Sequence, residues 1–442
     1  MVTVKKMSNI NLAKKVISIL KQNGYEAYMV GGVVRDYLLK MPVSDIDITT
    51  NAKPYQVSKL FKTKPTGVKY GTVTVYLGTN AFEVTTYRIE SEYQDNRHPE
   101  EVSFEATVED DVKRRDFTIN GMLMTEALEI IDYVGGKADL QAKMIKTIGN
   151  PIDRFNEDAL RIMRAFYFQA KLGFQIDKET REAIHTLRGK LLEISNERIL
   201  MEMIKMFKGP YLKKAIHTMI TTGVHEVLPG LKEGLLYVNT LEEMPYIDNF
   251  FTLSFALHGS IPNEWKFSNK HRHRYETGAY LAKQPQPYDP YTLYTYGLDF
   301  CLLGNRIAYI LGYAPNLKQT IEKEYQQLPI QSDLDLKLSA TEMIEAVGKK
   351  AGAWVKQLQT KMVIEILNRR LVNEKEALRA YAISEQKEWY YGTQCQSNLH
   401  DHRESRIDQY RCPFFQYHRD DHPRWTYQLK TWFWTTSPTS NG

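Results

Sequence analysis

The sequence contains few cysteines and no long apolar runs. Three cysteines occur in 442 residues, far apart at positions 301, 395 and 412. This scarcity excludes a disulfide framework and favours a reducing compartment. No segment approaches the roughly 20 consecutive apolar residues of a membrane-spanning helix. Residues 10–24 predict an amphipathic helix rather than a signal peptide, because lysines interrupt the apolar positions. We therefore expect a soluble cytoplasmic protein that makes no use of a membrane.

A strong excess of one charge is also lacking. The chain has 58 lysines and arginines against 53 aspartates and glutamates, which gives a formal net charge of +5. So small an excess is compatible with an RNA partner without requiring one. The length and the 43% hydrophobic content indicate several domains with sizeable cores.

The periodicity of apolar residues changes near residue 150. Up to that point short β-type runs alternate with helical segments, and the predicted strands are 27–30, 45–48, 72–77, 82–87 and 130–133. After Arg154 helical spacing dominates, and the predicted helices are 159–172, 180–192, 198–207, 211–222, 339–347, 353–368 and 373–381. The fold class is therefore predicted to be α+β, with a mixed-sheet head followed by an all-helical remainder.

Two glycines and two aspartates in residues 29–48 carry the clearest chemical signal. Gly31 and Gly32 end an apolar run at the start of a predicted helix, where backbone N–H groups can hold a triphosphate. Asp45 and Asp47 are one residue apart, so on a strand they point to the same face. Paired carboxylates suit Mg²⁺, which prefers oxygen ligands and is often shared with substrate phosphates. The combination indicates a two-metal nucleotidyltransferase.

Further motifs follow in a fixed order. They are 114–120 (RRDFTIN), 157–165 (EDALRIMRA), 172–174 (LGF) and 195–199 (SNERI). Together with G-G-x-V-R-D and D-x-D, they resemble the class II nucleotidyltransferases of the polymerase β superfamily over about residues 25 to 205. That group contains the tRNA CCA-adding, A-adding and CC-adding enzymes and the bacterial poly(A) polymerases. The resemblance implies a polymerase β-type head followed by a helical neck, body and tail.

The chemistry of nucleotidyl transfer assigns roles to residues of the head. Asp45 and Asp47 are the predicted ligands of two Mg²⁺ ions, which can clamp the attacking and leaving oxygens. Glu83 is either a third catalytic carboxylate or an exposed strand residue. One helical turn beyond Gly32, Arg35 is predicted to reach phosphate.

The second motif supplies further candidates for nucleotide binding. The resemblance implies that Arg115 contacts the nucleotide. Asp116 and Asn120 are four residues apart, so on a helix they share a face and can contact ribose or orient the arginines.

The pair Asp158 and Arg161 is the candidate for base selection. Three residues apart, they are expected to be neighbours on one helical face. The resemblance implies that they act as a protein template for the incoming base. The Asp158 carboxylate would accept a hydrogen bond from the amino group of cytosine or adenine, and the Arg161 guanidinium would donate hydrogen bonds to acceptors of the ring. Uracil and guanine present a carbonyl there, and a buried mismatch costs about 1–3 kcal/mol. Arg164 lies on the same predicted helical face and can support the base or the phosphates. The family pattern commonly reads Arg-Ala-x-Arg-Phe, whereas Tyr167 here replaces the second cation of the nucleotide site.

The predicted activity is stepwise addition of CTP, CTP and ATP to the 3′ end of tRNA, with contacts to the acceptor stem. A- or CC-adding enzymes, a poly(A) polymerase and a catalytically degenerate RNA-binding relative remain alternatives, and a homodimer stays open. Residues 66–74 resemble the CCA-adding pattern more than that of poly(A) polymerases. The expected units are a head over 1–150, a neck over 151–208, a tRNA-binding body over 209–320, a tail over 321–384 and an atypical extension over 385–442.

Three segments have two interpretations each. Residues 88–111 are polar and acidic, and they are either a solvated loop or the family's flexible loop for switching from C to A addition. The basic run 267–274 is either an RNA-binding patch or a solvated face. In the extension, Cys395, His400, His402 and Cys412 match no defensible zinc-finger spacing. This segment is either an aromatic and basic surface for RNA or an unusual extension of no assigned role. We favour the second interpretation.

Overall fold

A computed structural model of the chain describes residues 2–43, 45–67, 71–90, 102–103 and 105–398. Its first 150 residues contain a seven-stranded sheet with the order β3-β4-β5-β2-β1-β8-β9. Strands β2 and β5 run parallel and the other neighbours antiparallel, so the sheet is mixed as predicted. These strands are β1 (Ala27–Val30), β2 (Asp47–Thr50), β3 (Lys62–Gly67), β4 (Thr72–Leu77), β5 (Asn80–Thr86), β8 (Met122–Met124) and β9 (Ile130–Asp132). Two small sheets pair β6 (Ile89–Glu90) with β7 (Val102–Ser103), and β10 (Met144–Ile145) with β11 (Gln175–Ile176).

Helices make up most of the described chain outside the sheet. Those of the first 150 residues are α1 (Val2–Gln22), α2 (Gly32–Leu38), α3 (Pro54–Leu60), α4 (Val108–Lys113) and α5 (Gly136–Gln141). Next come α6 (Pro151–Glu157), α7 (Leu160–Leu172), α8 (Lys178–Leu187) and α9 (Asn196–Met206). The series continues with α10 (Leu212–Thr221), α11 (Lys232–Thr240), α12 (Ile247–His258), α13 (Asn269–Ala282), α14 (Pro290–Ile310) and α15 (Lys318–Gln326). It ends with α16 (Ala340–Val347), α17 (Ala353–Leu367) and α18 (Lys375–Asn398). None of the helices in these ranges is both long and apolar enough to cross a membrane.

One hydrophobic core connects the sheet to the helices that follow it. Its buried residues run from Ala13 on α1 to Leu311 at the end of α14, and they include the apolar face of α7. A separate core contains residues from Ile330 to Ala382. The junction between sheet and α7 is therefore part of one packed unit, which fixes side chains of α7 relative to the sheet.

Two local predictions were wrong. The acidic segment 88–111 ends in a helix, because Thr107 and Asp110 form a capping box at the start of α4. Helical periodicity was expected to end near residue 384, but α18 continues to Asn398. The rest of the extension, including His400, His402 and Cys412, lies outside the described residues.

Candidate active site

The glycine turn connects β1 to α2. Gly31 adopts φ 79° and ψ −133°, a conformation that L side chains rarely adopt. A Cβ atom at Gly31 would lie 3.5 Å from Arg115 Nη1 and 3.7 Å from Asp47 Oδ2. The turn therefore brings backbone, a guanidinium and a carboxylate to one place.

Three carboxylates lie beside this turn, and we call them the carboxylate edge: Asp45, Asp47 and Glu83. Asp47 opens β2, where it pairs with Val30 of β1 on one side and with Glu83 of β5 on the other. Asp45 precedes the strand rather than belonging to it. Burial still alternates as predicted, since Ile46 is buried while Asp45 is exposed and Asp47 is half-buried.

The electrostatics of the carboxylate edge favour binding of a cation. Burial, together with the nearby charges of Glu83 and Asp45, raises the pKa of Asp47 above its ordinary value, although Arg115 opposes the shift. Like charges held together in this way are relieved when a positive ion binds between them. The donor chemistry, carboxylate oxygen, fits Mg²⁺.

The ligand set would be incomplete without substrate. Among the described residues, no group of three or more histidine, cysteine, aspartate or glutamate side chains is arranged to hold a metal ion. This result gives no support to Glu83 as a direct third ligand. Mg²⁺ commonly binds through one or two carboxylates, with phosphate and water completing its coordination. Asp45 and Asp47 fit that pattern.

Arg115 is held beside the glycine turn by a buried acid. Its Nη2 donates to Asp111 Oδ2 at 3.1 Å, and Asp111 is fully buried. Asp111 also accepts from Thr49 Oγ1 at 3.0 Å and from Arg114 Nε at 2.9 Å. The Nε atom of Arg115 is buried without a hydrogen-bond partner in the part of the chain that the structure describes. It remains a donor with capacity for a ligand.

Arg35 lies behind the turn instead of opening toward solvent. Only 3% of Arg35 is exposed, and its Nε donates to Asp36 Oδ1 at 2.8 Å. Its Nη1 donates to Asn120 Oδ1 at 2.5 Å. These partners hold the Arg35 guanidinium in one place, where a Cβ atom at Gly32 would lie 3.5 Å from its Nη2; its contact with phosphate stays a prediction.

Asp116 and Asn120 continue from Arg35 into a buried ionic network: Arg35, Asp36, Asn120, Asp116 and Arg164. Asn120 Nδ2 donates to Asp116 Oδ1 at 3.0 Å, so the predicted proximity of these two residues is present. Asp116 Oδ2 accepts from Arg164 at 2.6 Å. Burial alone would raise the pKa of Asp116, but Arg164 and the hydrogen bonds from Asn120 and Phe117 hold it below its usual range. The network connects α2, the segment after Arg115 and α7.

The ring of Phe168 on α7 lies against both arginines of this network. Its centroid is 5.1 Å from the guanidinium carbon of Arg35 and 5.4 Å from that of Arg164. Tyr167 packs beside it, with the ring centroids 4.8 Å apart. Arg164 also approaches Glu202 of α9 at 4.0 Å. Tyr167 thus occupies a strongly charged setting.

Asp158 is not on a shared helical face with Arg161, which corrects the prediction. Its backbone is extended, at φ −148°, between α6 and α7. There its Oδ1 accepts from the Leu160 amide at 3.0 Å, in the manner of a helix cap. Its Oδ2 accepts from Arg198 Nη2 at 2.9 Å. Aspartate favours such an end position because its side chain competes for backbone donors.

Arg161 pairs with a different acid from the one predicted. Its Nη1 contacts Glu157 Oε2 at 2.6 Å and the Arg154 carbonyl at 3.0 Å. Its Nη2 donates to the carbonyl of Arg114 at 2.9 Å, which ties α7 to the residue before Arg115. Arg161 is 8% exposed.

The carboxylate edge and the arginines are identified by convergence of side chains rather than by depth of a cavity. A cleft of about 1170 Å³ lies elsewhere, between the region of α5 and the helices α6 and α8. Lys113, Lys146 and Arg154 line it, and neither Asp45 nor Asp47 does. The volume of that cleft therefore does not identify the carboxylate edge.

Sequence reasoning missed five residues that position the site. They are Asp36, Asp111, Lys171, Arg198 and Glu202. Asp111 belongs to the segment 88–111, for which both interpretations were loops, although the capping pattern around Thr107 signals a helix there. The other four belong to recognised motifs or lie just beyond them, but their partners are distant in sequence.

Comparison with family models divides the chain into three matched segments. The model of the poly(A) polymerase head domain matches residues 27–146. A model described as "Probable RNA and SrmB- binding site of polymerase A" matches 173–235, and tRNA nucleotidyltransferase domain 2 matches 252–382.

Characterised relatives match across most of the chain. A CCA-adding enzyme of Bacillus cytotoxicus is 36% identical over 391 residues, covering 85% of this chain and 98% of that protein. A CCA-adding enzyme of Anoxybacillus flavithermus is 37% identical over 390 residues, with coverage of 85% and 97%.

Solved structures give the same match. The Bacillus stearothermophilus CCA-adding enzyme in complex with CTP superposes with a TM-score of 0.72 at 33% identity, over 86% of this chain and 98% of that one. The Thermotoga maritima enzyme complexed with tRNA shares the fold, with a TM-score of 0.57 and 20% identity over 85% and 95% of the two chains.

Proposed function

Because this chain belongs to the family of CCA-adding enzymes, which are nucleotidyltransferases, we propose that it completes tRNA 3′ ends with CTP and ATP at the carboxylate edge. The observation that carries the assignment is the convergence of Gly31, Asp47 and Arg115 at one strand end. The predicted α+β class is confirmed by the same structural match.

Asp45 and Asp47 are the proposed metal ligands, with Glu83 beside them as a supporting carboxylate. When bound, two Mg²⁺ ions supply charge stabilisation for the attacking and leaving oxygens. The carboxylates fix where those ions bind relative to β2. The raised pKa of Asp47 means that this residue binds a cation best once it has lost its proton.

The glycine turn and Arg115 are the proposed binding elements for the nucleotide phosphates. Gly31 and Gly32 present backbone without side-chain obstruction, and Gly32 opens α2. Arg115 adds a guanidinium with an unpaired buried Nε. Arg35, Asp116, Asn120 and Arg164 hold these parts in place through the buried ionic network, so we assign them positioning roles.

Base selection is proposed for Asp158 and Arg161 acting from two adjoining elements. A carboxylate has about four acceptor directions, so Asp158 can take a further donor besides Leu160 and Arg198. Arg161 uses Nη1 and Nη2 for backbone and Glu157, and a guanidinium has five N–H donors in all. Their partners restrict both groups to few orientations, which is what discrimination between bases requires.

The helices after residue 150 are the proposed tRNA-binding part. We keep the predicted units, with a neck over 151–208, a body over 209–320 and a tail over 321–384, and the match of tRNA nucleotidyltransferase domain 2 to residues 252–382 supports the assignment. Within the basic run 267–274, Arg272 is partly occupied by carbonyls of Ile261 and Trp265. That run therefore has fewer free cations than its sequence indicates. A cytoplasmic location remains part of the proposal.

The test uses a tRNA transcript that ends at the discriminator base. It is incubated with Mg²⁺ and with CTP, ATP or both, and the products are sized and sequenced. We expect two C residues with CTP alone and a terminal A only when both nucleotides are present. Arg181→Gln, a change at an exposed position of α8, is the control variant, and Asp47→Asn is the inactive one.

Other product patterns point to the related activities. Addition of A only to tRNA that already ends in CC indicates an A-adding enzyme, and long A tracts indicate a poly(A) polymerase. Retained tRNA binding without incorporation would instead indicate a degenerate RNA-binding relative. The homodimer hypothesis is tested separately, by sedimentation at the assay concentration.

A further inference from the structure

We propose that Lys171 supplies the positive charge that the family pattern places at position 167, and that it acts through Asp36 to position Arg35 behind the glycine turn. This inference rests on the proposed function. Lys171 is a positioning residue in this account and is not expected to touch the nucleotide.

The ion pair between Lys171 and Asp36 joins α7 to α2. Lys171 Nζ lies 2.9 Å from Asp36 Oδ2, while the other carboxylate oxygen accepts from Arg35. Asp36 is 5% exposed and the Lys171 side chain 28%. Both oxygens of a buried carboxylate are thus engaged, one by each cation.

Position 167 faces the same group of charges as position 171. The two residues are one turn apart on α7 and therefore share a face. The phenol of Tyr167 is within electrostatic range of Arg35, Arg164, Asp36 and Glu202. A guanidinium at 167 would find two carboxylates within this group.

Tyr167 offers no positive charge to Asp36 or Glu202. A neighbouring lysine pairs with each of these two carboxylates. Lys171 pairs with Asp36, and Lys205 pairs with Glu202 at 2.9 Å while its Nζ lies 6.0 Å from the Tyr167 ring. Of these two lysines, only Lys171 reaches an acid that itself binds Arg35. Removing Lys171 leaves one oxygen of a buried carboxylate unpaired, and Asp36 then no longer fixes Arg35 in one orientation.

The test compares Lys171→Met with a matched change on the next helix. Removing an outer partner of a binding site typically costs about tenfold or more, so we expect the KM for CTP to rise about tenfold with kcat changed much less. Lys178→Met is the control, because Lys178 lies on α8 with 80% of its side chain exposed. That variant should retain the wild-type KM.

A second variant separates positioning from general packing. In the Lys171→Met background, Tyr167→Arg should return the KM for CTP to within about twofold of wild type. Lys171→Arg should keep the wild-type KM, since it preserves the charge. A purely structural role would lower the unfolding temperature without this selective rescue.

The proposal is overturned if Lys171→Met has the wild-type KM, or if Tyr167→Arg restores the unfolding temperature without restoring KM. If Lys171→Met fails to fold, the double variant decides: a folded protein with near-normal KM supports the proposal, and an unfolded one overturns it. If the wild type incorporates no nucleotide, the proposed function fails on its own. The Kd for CTP in the same variants then replaces KM as the test of Lys171.

Discussion

The carboxylate edge and the buried ionic network both contain aspartates, but in opposite electrostatic surroundings. At the edge, Asp47 and Glu83 are paired across adjacent strands with Asp45 just before β2, and the pKa of Asp47 is raised. In the network, Asp116 faces Arg164, and its pKa is lowered despite burial. The two regions adjoin each other at the glycine turn and Arg115, which lie beside the edge and shortly precede residues of the network.

This difference separates a binding site from its scaffold. Acids that repel one another reduce the stability of the free protein, and a bound cation reverses that cost. Buried acids paired with cations contribute to the fold, and removing one partner leaves an uncompensated charge. Mutations at the carboxylate edge should therefore lower activity more than stability, and mutations in the network should lower stability more than activity.

The largest effect is expected for Asp47→Asn at the carboxylate edge. Metal ions supply several kcal/mol of transition-state stabilisation, so nucleotide incorporation should fall about 10³-fold or more. The unfolding temperature should remain at or above that of wild type, because a like-charge repulsion is removed. Single-turnover CTP incorporation and thermal unfolding, measured on one preparation, check both halves. A large loss of stability would place Asp47 in the scaffold instead.

Asp116→Ala should show the reverse balance. It leaves the Arg164 guanidinium without its main partner. Because 33% of the Arg164 side chain is exposed, the loss of unfolding free energy should lie between the about 1 kcal/mol of a surface pair and the about 3–5 kcal/mol of a buried one. Denaturant titration measures the loss. Asp153→Ala on α6 is a control, since that residue lies in the exposed first turn of its helix. Equal stability of the two variants would contradict the description of the network as a scaffold.

Asp158→Ala should lower selectivity, and the lost helix cap should also cost about 0.5–2 kcal/mol of stability. The lost contact to the cytosine or adenine amino group is worth about 1–3 kcal/mol, which corresponds to roughly 5- to 150-fold in CTP preference over UTP. Competition between the two nucleotides at fixed tRNA measures the ratio. Glu157→Gln, which alters the partner of Arg161, should change it less. An unchanged ratio in Asp158→Ala would remove this residue from base selection.

The smallest effect concerns pH. The pKa of Asp116 is lower in the folded protein than in the unfolded chain, so its contribution to stability is complete above the unfolded pKa near 3.8 and is lost as pH falls through the folded pKa. The stability difference between wild type and Asp116→Asn should be constant from about pH 5 to 8 and should shrink below about pH 4. If the stability difference between wild type and Asp116→Asn grew on acidification, the pKa of Asp116 would have to be raised by folding rather than lowered.

Local patterns predicted the elements that depend on neighbours in sequence. The strands at 27–30 and 72–77 agree with β1 and β4, and helix 159–172 is within one residue of α7. The glycine turn and the alternation around Asp45 and Asp47 followed from backbone geometry. These features need no information from distant parts of the chain.

Partners across the fold were not predictable in the same way. The position of Arg35 one turn beyond the glycines predicts a phosphate contact, but it gives no sign that Asn120, 85 residues away, accepts from its Nη1. Asp158 was placed on a helix because its spacing to Arg161 fits one, but its side chain caps α7 and binds Arg198, 40 residues away. Both side chains therefore have partners that local spacing does not reveal, and for Asp158 the structure differs from the predicted helical placement.

The most direct test of the distinction between cation site and scaffold is the rise in unfolding temperature that Mg²⁺ causes in the presence of CTP. It is taken as the difference between the unfolding temperatures measured with MgCl₂ and with EDTA. A ligand that binds only the folded state stabilises it by mass action. We predict a clear rise for wild type and for Asp116→Asn, and none for Asp47→Asn, whose unliganded form is at least as stable as wild type. A wild-type rise in Asp47→Asn, or an unliganded form as unstable as Asp116→Asn, would contradict the assignment of the carboxylate edge as the cation site.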